Sequence, residues 1–153
     1  MYALLLIIHS WFRWLVLASL VYAIYKSCSG WFNRQPFTPF DNSVRHVTAT
    51  LLHVQFVIGI VLYFISPVVD YFLHNFGTAI HERDIRFFGM EHVTMMFIAV
   101  AVISAGSMKA RRIEINVSKF KTMAIWYSIG LVIIFLSIPW EFSPFTSRPY
   151  FRF

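Results

Sequence analysis

The stretch from Val44 to Ser66, VRHVTATLLHVQFVIGIVLYFIS, is almost entirely apolar. A helix needs about 20 mostly apolar residues to cross the hydrocarbon core of a bilayer, so this stretch predicts a transmembrane helix. It is preceded by TPFDNS, residues 38–43, which supplies helix-capping side chains. Near its centre stands His53, and an ionisable side chain at that depth costs about 2.5 kcal/mol or more to insert. The stretch therefore predicts the fold class and raises a question about function.

The composition of the whole chain agrees with an all-α integral membrane protein. The 153 residues are 58% hydrophobic and only 13% charged, about half the charged fraction of a typical soluble domain. The first apolar run has no basic segment ahead of it, so we expect a retained span rather than a signal peptide. With no repeat or low-complexity tract, residues 1–153 are expected to form a single transmembrane domain. The predicted spans are about 3–25, 44–66, 84–107 and 120–140.

Basic residues are concentrated in two of the three predicted loops. The first loop carries Lys26, Arg34 and Arg45, and the third carries five more, whereas the second loop and the tail carry two each. By the positive-inside rule, loops one and three face the cytoplasm and both termini lie outside. Short loops between four such helices predict an up-down bundle. The net charge of +6 follows these loops, so we expect membrane lipid as a partner and no nucleic acid.

Ionisable side chains inside the predicted spans are few, and each is a functional-site hypothesis because of its insertion cost. His9 and Arg13 are four residues apart and share one helix face. At about 1.5 Å per residue, His9 and His92 each lie roughly 10 Å below the outer surface, and His53 lies about 10 Å deeper. The candidate residues are His9, Arg13, His46, His53, Glu91 and His92.

Imidazoles on facing helices are the usual ligands of a b-type haem inside a helical bundle. Haem b is therefore the predicted cofactor, with His9 and His92 as the first-choice axial pair because their depths match. His53 is the rival ligand. Arg13 suits a haem propionate or a quinone carbonyl, so a quinone is the second ligand considered. Glu91 lies about 100° around the helix from His92, so we expect it to serve a neighbouring helix, at His9 or Arg13, rather than its own adjacent histidine.

Two other interpretations remain open. The histidines can hydrogen-bond between helices or to a larger complex, which predicts an accessory subunit without a cofactor. Alternatively, His9, His53 and His92 can hold copper or zinc if all three lie at one depth. The lone cysteine excludes an internal disulfide framework. Surface, interfacial or packing roles are expected for His46, His74, His81 and Cys28.

Four segments carry a resemblance to a known family. They are HSWFRWLVL (9–17), HVQFVIGIVLYF (53–64), RFFGMEHVTMMFIAV (86–100) and IPWEFSPFTSRPYF (138–151). In this order, and over nearly the whole chain, they resemble small four-span membrane proteins of Bacteroidota that are generally labelled cytochrome B. The residues that this resemblance singles out are His9, Arg13, His53, Gln55, Gly59, Arg86, Glu91 and His92.

The resemblance implies a haem-binding subunit of respiratory electron transfer in the bacterial inner membrane, working beside other subunits rather than as a stand-alone enzyme. The widely spaced histidine pairs of larger b cytochromes, two on each of two helices, are absent from this sequence. The sequence therefore favours one haem over a two-haem path across the membrane.

Overall fold

The computed structural model describes residues 1–140 and residue 146, and every regular element within them is helical. The tail residues Arg148 and Arg152, which entered the charge count, lie outside the described residues. One π-helical turn precedes the third of the four long helices. The elements are α1 (Tyr2–Phe32), α2 (Pro39–Ile65), α3 (Pro67–His74), α4 (Phe76–Ala79), α5 (Arg83–Arg86), the π-helical turn (Phe87–Glu91), α6 (His92–Arg112) and α7 (Asn116–Ser137).

Four helices in the described part of the chain are long and apolar enough to cross a bilayer: α1, α2, the continuous segment Arg83–Arg112, and α7. The prediction of four spans in an all-helical membrane protein is thereby confirmed. The helix ends differ from the predicted span ends, since α1 continues to Phe32 and α2 begins at Pro39. Hydrophobicity marks only the part of a helix that suits hydrocarbon, whereas the helix itself continues until its backbone meets a cap.

The start of α2 shows such a cap. Asp41 N donates to Thr38 Oγ1 at 3.3 Å, and Thr38 N donates to Asp41 Oδ2 at 2.9 Å, which together form a capping box. Pro39 takes the first helical position, where its missing N–H has no intrahelical partner to lose. Asp41 also pairs with Lys26 Nζ of α1 at 3.4 Å. The cap therefore starts α2 and ties its first turn to the last part of α1.

The long helices pack in a closed circuit, in which α1 contacts α2 and α7, and α6 contacts the same two helices. Small residues let their backbones approach. Gly106 lies against Trp126, and Gly130 lies against Ile103, so closely that an added Cβ would collide with either side chain. Helix association in lipid depends on this kind of close packing. The largest fully buried side chains include Leu20, Ile103, Phe120, Met123 and Tyr127.

Arg45 is placed inside α2 and is buried, although the sequence assigned it to a loop. Its Nη1 donates to Ser107 Oγ at 2.6 Å and Ser107 O at 3.3 Å, and its Nε and Nη2 donate to Asn42 Oδ1 at 3.1 and 2.9 Å. Tyr127 Oη donates to Arg45 O at 2.9 Å. A buried cation is tolerated only when it is fully hydrogen-bonded. Here those bonds join α2, α6 and α7.

Residues 67–83, predicted as a loop, contain the short helices α3 and α4 and the first residue of α5, which continues to Arg86. Pro67 occupies the first position of α3, so the helix restarts immediately after α2 ends. Val69 and Phe72 are buried. The Phe72 ring lies against Gly89, where an added Cβ would collide with it. This segment therefore packs against the π-helical turn that leads into α6.

Candidate functional site

A cavity of about 190 Å³ lies between the long helices at the end of the bundle that α3 covers. It is partly open at its side, and most of its wall is aliphatic or aromatic. An enclosed apolar cavity of about 150 Å³ is enough to hold benzene, so this cavity has room for a ring-sized group. The polar side chains among its lining residues are Tyr2, His9, Arg13, Gln55, Tyr63, Ser66 and His92.

His92 is the first residue of α6 and is oriented by the chain around it. Its Nδ1 lies 2.8 Å from Ser137 O of α7, and because a carbonyl only accepts, Nδ1 carries the proton. The rings of Phe87 and Phe88 lie 5.7 and 6.3 Å from the imidazole, centroid to centroid. With Nδ1 donating to a backbone carbonyl, Nε2 has the free lone pair of a metal-ligating or proton-accepting histidine.

His9 reaches the same cavity from α1. It lines this cavity together with His92 and Arg13. On its other side is Gly59 of α2, where an added Cβ would stand 3.2 Å from His9 Cε1. The His9 Nδ1 atom is buried and has no hydrogen-bond partner among the described residues. Like His92, His9 therefore keeps a ring nitrogen available in the cavity, but at Nδ1.

Gln55 lines the cavity one helical turn before Gly59. Its Nε2 donates to His9 O at 3.0 Å, and because that carbonyl only accepts, the amide orientation is determined. The other end of the amide, Oε1, is buried and has no hydrogen-bond partner in the part of the chain that the structure describes. Gln55 thus has an unpartnered acceptor oxygen and lines the same cavity as His9.

Arg13 also lines the cavity, one turn after His9 on α1. Its guanidinium carbon lies 5.2 Å from the ring centroid of Trp14 and 5.8 Å from that of Trp140. Both distances are in the range of cation–π contacts. The site therefore has a positive charge held between indole rings at its edge.

His53 does not join this group. It is exposed on the outside of α2, and its Nε2 lies 2.9 Å from Ser104 Oγ of α6. Within residues 1–140 and 146, no three His, Cys, Asp or Glu side chains come together in a way that could hold a metal ion. The copper or zinc hypothesis, which needs His9, His53 and His92 at one point, is therefore not supported. The physical reason is rotation, since the exposed face of α2 carries His53 while Gln55 and Gly59 face inward.

Arg86 and Glu91 do not line the cavity. They pair with each other instead, with Arg86 Nε 2.7 Å from Glu91 Oε1. The prediction that Glu91 serves His9 or Arg13 is wrong. It assumed a regular α-helix, whereas residues 87–91 form a π-helical turn, which brings positions five apart onto one side.

The histidines given surface or interfacial roles are exposed: His46, His74 and His81. His74 Nδ1 lies 3.3 Å from Asp70 Oδ1 in a pair with both side chains 74% exposed. Cys28 is a half-buried free thiol.

Several lining residues were missed by the sequence analysis, namely Tyr63, Ser66, Val69 and Phe88. A signal for two of them was present. Gln55, Gly59, Tyr63 and Ser66 recur at the spacing of one helix face, so the two known members predict the other two. Val69 had no such signal, because the segment that contains it was read as a loop.

Comparison of the chain with protein-family models, curated proteins and solved structures finds no match.

Proposed function

We propose that this protein binds a b-type haem between His9 and His92 and takes part in electron transfer within the membrane. One observation carries the proposal. Two histidines from different helices line a single apolar cavity, and the ring of one of them is already held by a backbone carbonyl, Ser137 O, at 2.8 Å. This is the arrangement that metal-ligating imidazoles use, with the second nitrogen directed to the metal.

The residues around the two histidines suit a flat apolar group. The wall includes Phe56, Val93, Met96 and Ile134, and Gly59 leaves room beside the His9 ring. The enclosed volume of about 190 Å³ takes one ring, so a larger macrocycle would extend through the open side of the cavity. A bound haem would supply one-electron chemistry.

In this proposal, Arg13 and Gln55 have different roles from the two histidines. Arg13 offers a positive charge for an anionic substituent such as a propionate. Gln55 holds the backbone of α1 at His9 through its Nε2. The aliphatic and aromatic wall limits water, which makes the charges inside the site interact more strongly.

The cavity would work within an up-down bundle that has both termini outside. The contacts of Gln55 with His9 and of Lys26 with Asp41 support this, because they join opposite ends of α1 and α2 in antiparallel order. The basic residues counted with the first and third loops favour a cytoplasmic position for both loops. The proposal includes a bacterial inner membrane, membership of the cytochrome B family of Bacteroidota, and other subunits of a respiratory or inner-membrane complex as electron donor and acceptor.

A visible absorption spectrum of the purified protein, with a pyridine haemochrome assay, tests this function. We expect a Soret band and, after reduction, the sharp bands of an iron with two imidazole ligands. Purified protein that lacks a Soret band after expression with sufficient haem, and that does not take up added haemin, would overturn the proposal. An accessory subunit without a cofactor would then account for the histidines.

A quinol is a second candidate ligand, and a specific observation favours it. Gln55 Oε1 and His9 Nδ1 are both buried without a hydrogen-bond partner among the described residues, and both residues line the cavity. A ring with a hydroxyl group could donate to Gln55 Oε1 and bond His9 Nδ1, and its apolar tail could leave through the open side. Binding of a short-chain naphthoquinol in detergent micelles, lost in Gln55→Leu, would support this candidate. Equal binding to both proteins would contradict it.

A further inference from the structure

The pair formed by Arg86 and Glu91 has no contact with the cavity, yet it is held closely. Besides the 2.7 Å ion pair, Arg86 Nη1 donates to Ile80 O at 3.1 Å. The two side chains remain 34% and 30% exposed. Arg86 and Glu91 therefore do not act as ligands in this cavity. Their role is to be found in the part of the backbone that their ion pair stabilises.

The ion pair spans the π-helical turn. Arg86 and Glu91 are five residues apart, and they flank or end the turn Phe87–Glu91. In a π-helix, the backbone hydrogen bond joins residues five apart, which brings these positions towards one side of the helix. In an α-helix, the same positions are separated by about 140° around the axis. The short Arg86–Glu91 distance therefore favours the widened turn over a regular one.

The widened turn sets the direction of His92, which follows it directly. One additional residue in a turn rotates all later side chains by about 100° relative to the helix before it. The chain is anchored on both sides of the turn, by the Arg86 contact with Ile80 O and by the His92 contact with Ser137 O. Within the turn, Gly89 O accepts from Tyr63 Oη at 2.9 Å. If α5 kept its anchor and the turn became α-helical, His92 would face away from the cavity.

We propose that Arg86 and Glu91 are positioning residues, whose ion pair holds the π-helical turn so that His92 points into the cavity. This inference rests on the proposed function, since it explains how a ligand-bearing side chain is oriented. It also accounts for an acid next to a histidine in an apolar segment. Glu91 acts on His92 through the shape of the backbone and not through a direct bond.

The test uses the variant Glu91→Gln, which removes the charge and keeps the size. Asp70→Asn is the matched control, because it makes the same change in the fully separate and exposed pair with His74. The exchange R86E/E91R restores an ion pair and tests whether the pair, and not either residue alone, holds the turn. Arg86→Lys, which keeps the positive charge, is the alternative variant if Glu91→Gln fails to fold.

The first measurement does not need a cofactor. In detergent micelles without added haem, hydrogen exchange at the amides of residues 87–92 should be up to about fivefold faster in Glu91→Gln, the factor expected for a partly exposed ion pair. The 15N signal of His92 Nδ1 should also move away from its hydrogen-bonded position. The Asp70→Asn protein should match the natural one, and R86E/E91R should recover most of the protection.

The second measurement is haem affinity, which we expect to fall about tenfold in Glu91→Gln, at the lower end of the loss for partners that orient a ligand. If the natural protein binds no haem, this measurement fails together with the proposed function, while exchange and the His92 signal still decide the inference. Unchanged exchange and an unchanged His92 signal in Glu91→Gln would overturn it. An equal effect of Asp70→Asn would overturn it as well.

Discussion

The two ends of the helix bundle both contain polar residues, but these residues differ in whether their polar atoms have hydrogen-bond partners. The Arg45 end contains Arg45 and Tyr127, and the cavity end contains His9, Gln55 and His92. At the Arg45 end, all three guanidinium nitrogens of Arg45 donate to oxygens of neighbouring residues, and Tyr127 donates to its carbonyl. At the cavity end, His9 Nδ1 and Gln55 Oε1 are buried without a hydrogen-bond partner among the described residues.

This difference separates polar groups that stabilise the fold from those that are available to a ligand. A buried polar atom without a hydrogen-bond partner costs roughly 1–3 kcal/mol of folding free energy. We therefore expect such an atom to be kept where it has another role, such as ligand binding. Polar groups that are hydrogen-bonded to neighbouring residues are explained by the helices that they join, without a ligand. Substitutions at the Arg45 end should therefore change the free energy of unfolding, and substitutions at the cavity end should change ligand binding.

The largest effect is expected at the cavity end, from the loss of either imidazole that we propose as a haem ligand. His9→Ala and His92→Ala should each lower haem affinity by more than about 100-fold, because loss of a partner that merely orients a ligand already costs about 10- to 100-fold. Haem titration followed at the Soret band measures this. His53→Ala is the control, since its imidazole bonds Ser104 outside the cavity. Loss of haem in His53→Ala with retention in His9→Ala would reverse the assignment.

That His9 and His92 share one cavity could be predicted from the sequence, whereas the outward direction of His53 could not. A bilayer imposes length and depth on each span, so counting residues along α1 and the third span was enough to match two depths. The rotation of a helix about its axis has no such constraint. The segment 44–66 is apolar on nearly every face, so its sequence contains little that tells which face turns inward.

The partner of Glu91 and the short helices that pack against the π-helical turn could not be predicted from the sequence either. A π-helical turn has no residue pattern comparable to a capping box or a glycine turn, and a single such turn changes every later direction by about 100°. By contrast, the start of α2 was signalled by TPFDNS, because capping side chains act on the nearest backbone groups. Features controlled by close neighbours in sequence were therefore predicted best.

The second prediction concerns the Arg45 end. Arg45→Ala should lower the free energy of unfolding by about 2–3 kcal/mol, since hydrogen bonds to charged groups contribute about 1.5–3 kcal/mol and several are lost. Unfolding in mixed micelles with a denaturing detergent measures this. Arg112→Ala, at an exposed position of α6, should change the value by less than about 0.5 kcal/mol. If both variants lost the same free energy of unfolding, the positive charge would stabilise the protein and the buried hydrogen bonds of Arg45 would not.

The third prediction compares one glycine from each end. Gly106→Ala places a Cβ against Trp126 in a closely packed contact, and overpacking of this kind costs about 1–3 kcal/mol. Gly59→Ala meets only the His9 ring, 3.2 Å from Cε1 and 3.8 Å from Nδ1, so the free energy of unfolding should stay the same or rise by up to about 1 kcal/mol from helix propensity.

The binding measurement should reverse this order. Because the new methyl group in Gly59→Ala pushes the His9 ring, haem affinity should fall about tenfold, whereas Gly106→Ala should leave it nearly unchanged in the folded fraction. Both values come from the same haem titration. A Gly59→Ala protein that binds haem as tightly as the natural one would mean that the position of His9 is not limited by α2.

The smallest effects provide the sharpest comparison of paired and unpaired groups. Tyr127→Phe removes the donor to Arg45 O and should lower the free energy of unfolding by about 1 kcal/mol. Gln55→Leu removes one bond, to His9 O, but also removes the unpartnered Oε1, so without ligand the value should change by less than about 0.5 kcal/mol. Detergent unfolding of both variants, measured without haem or quinol, gives the two numbers. If Gln55→Leu destabilises the protein as much as Tyr127→Phe, Gln55 is a structural residue like those at the Arg45 end, and the unpartnered oxygen is not a sign of a binding site.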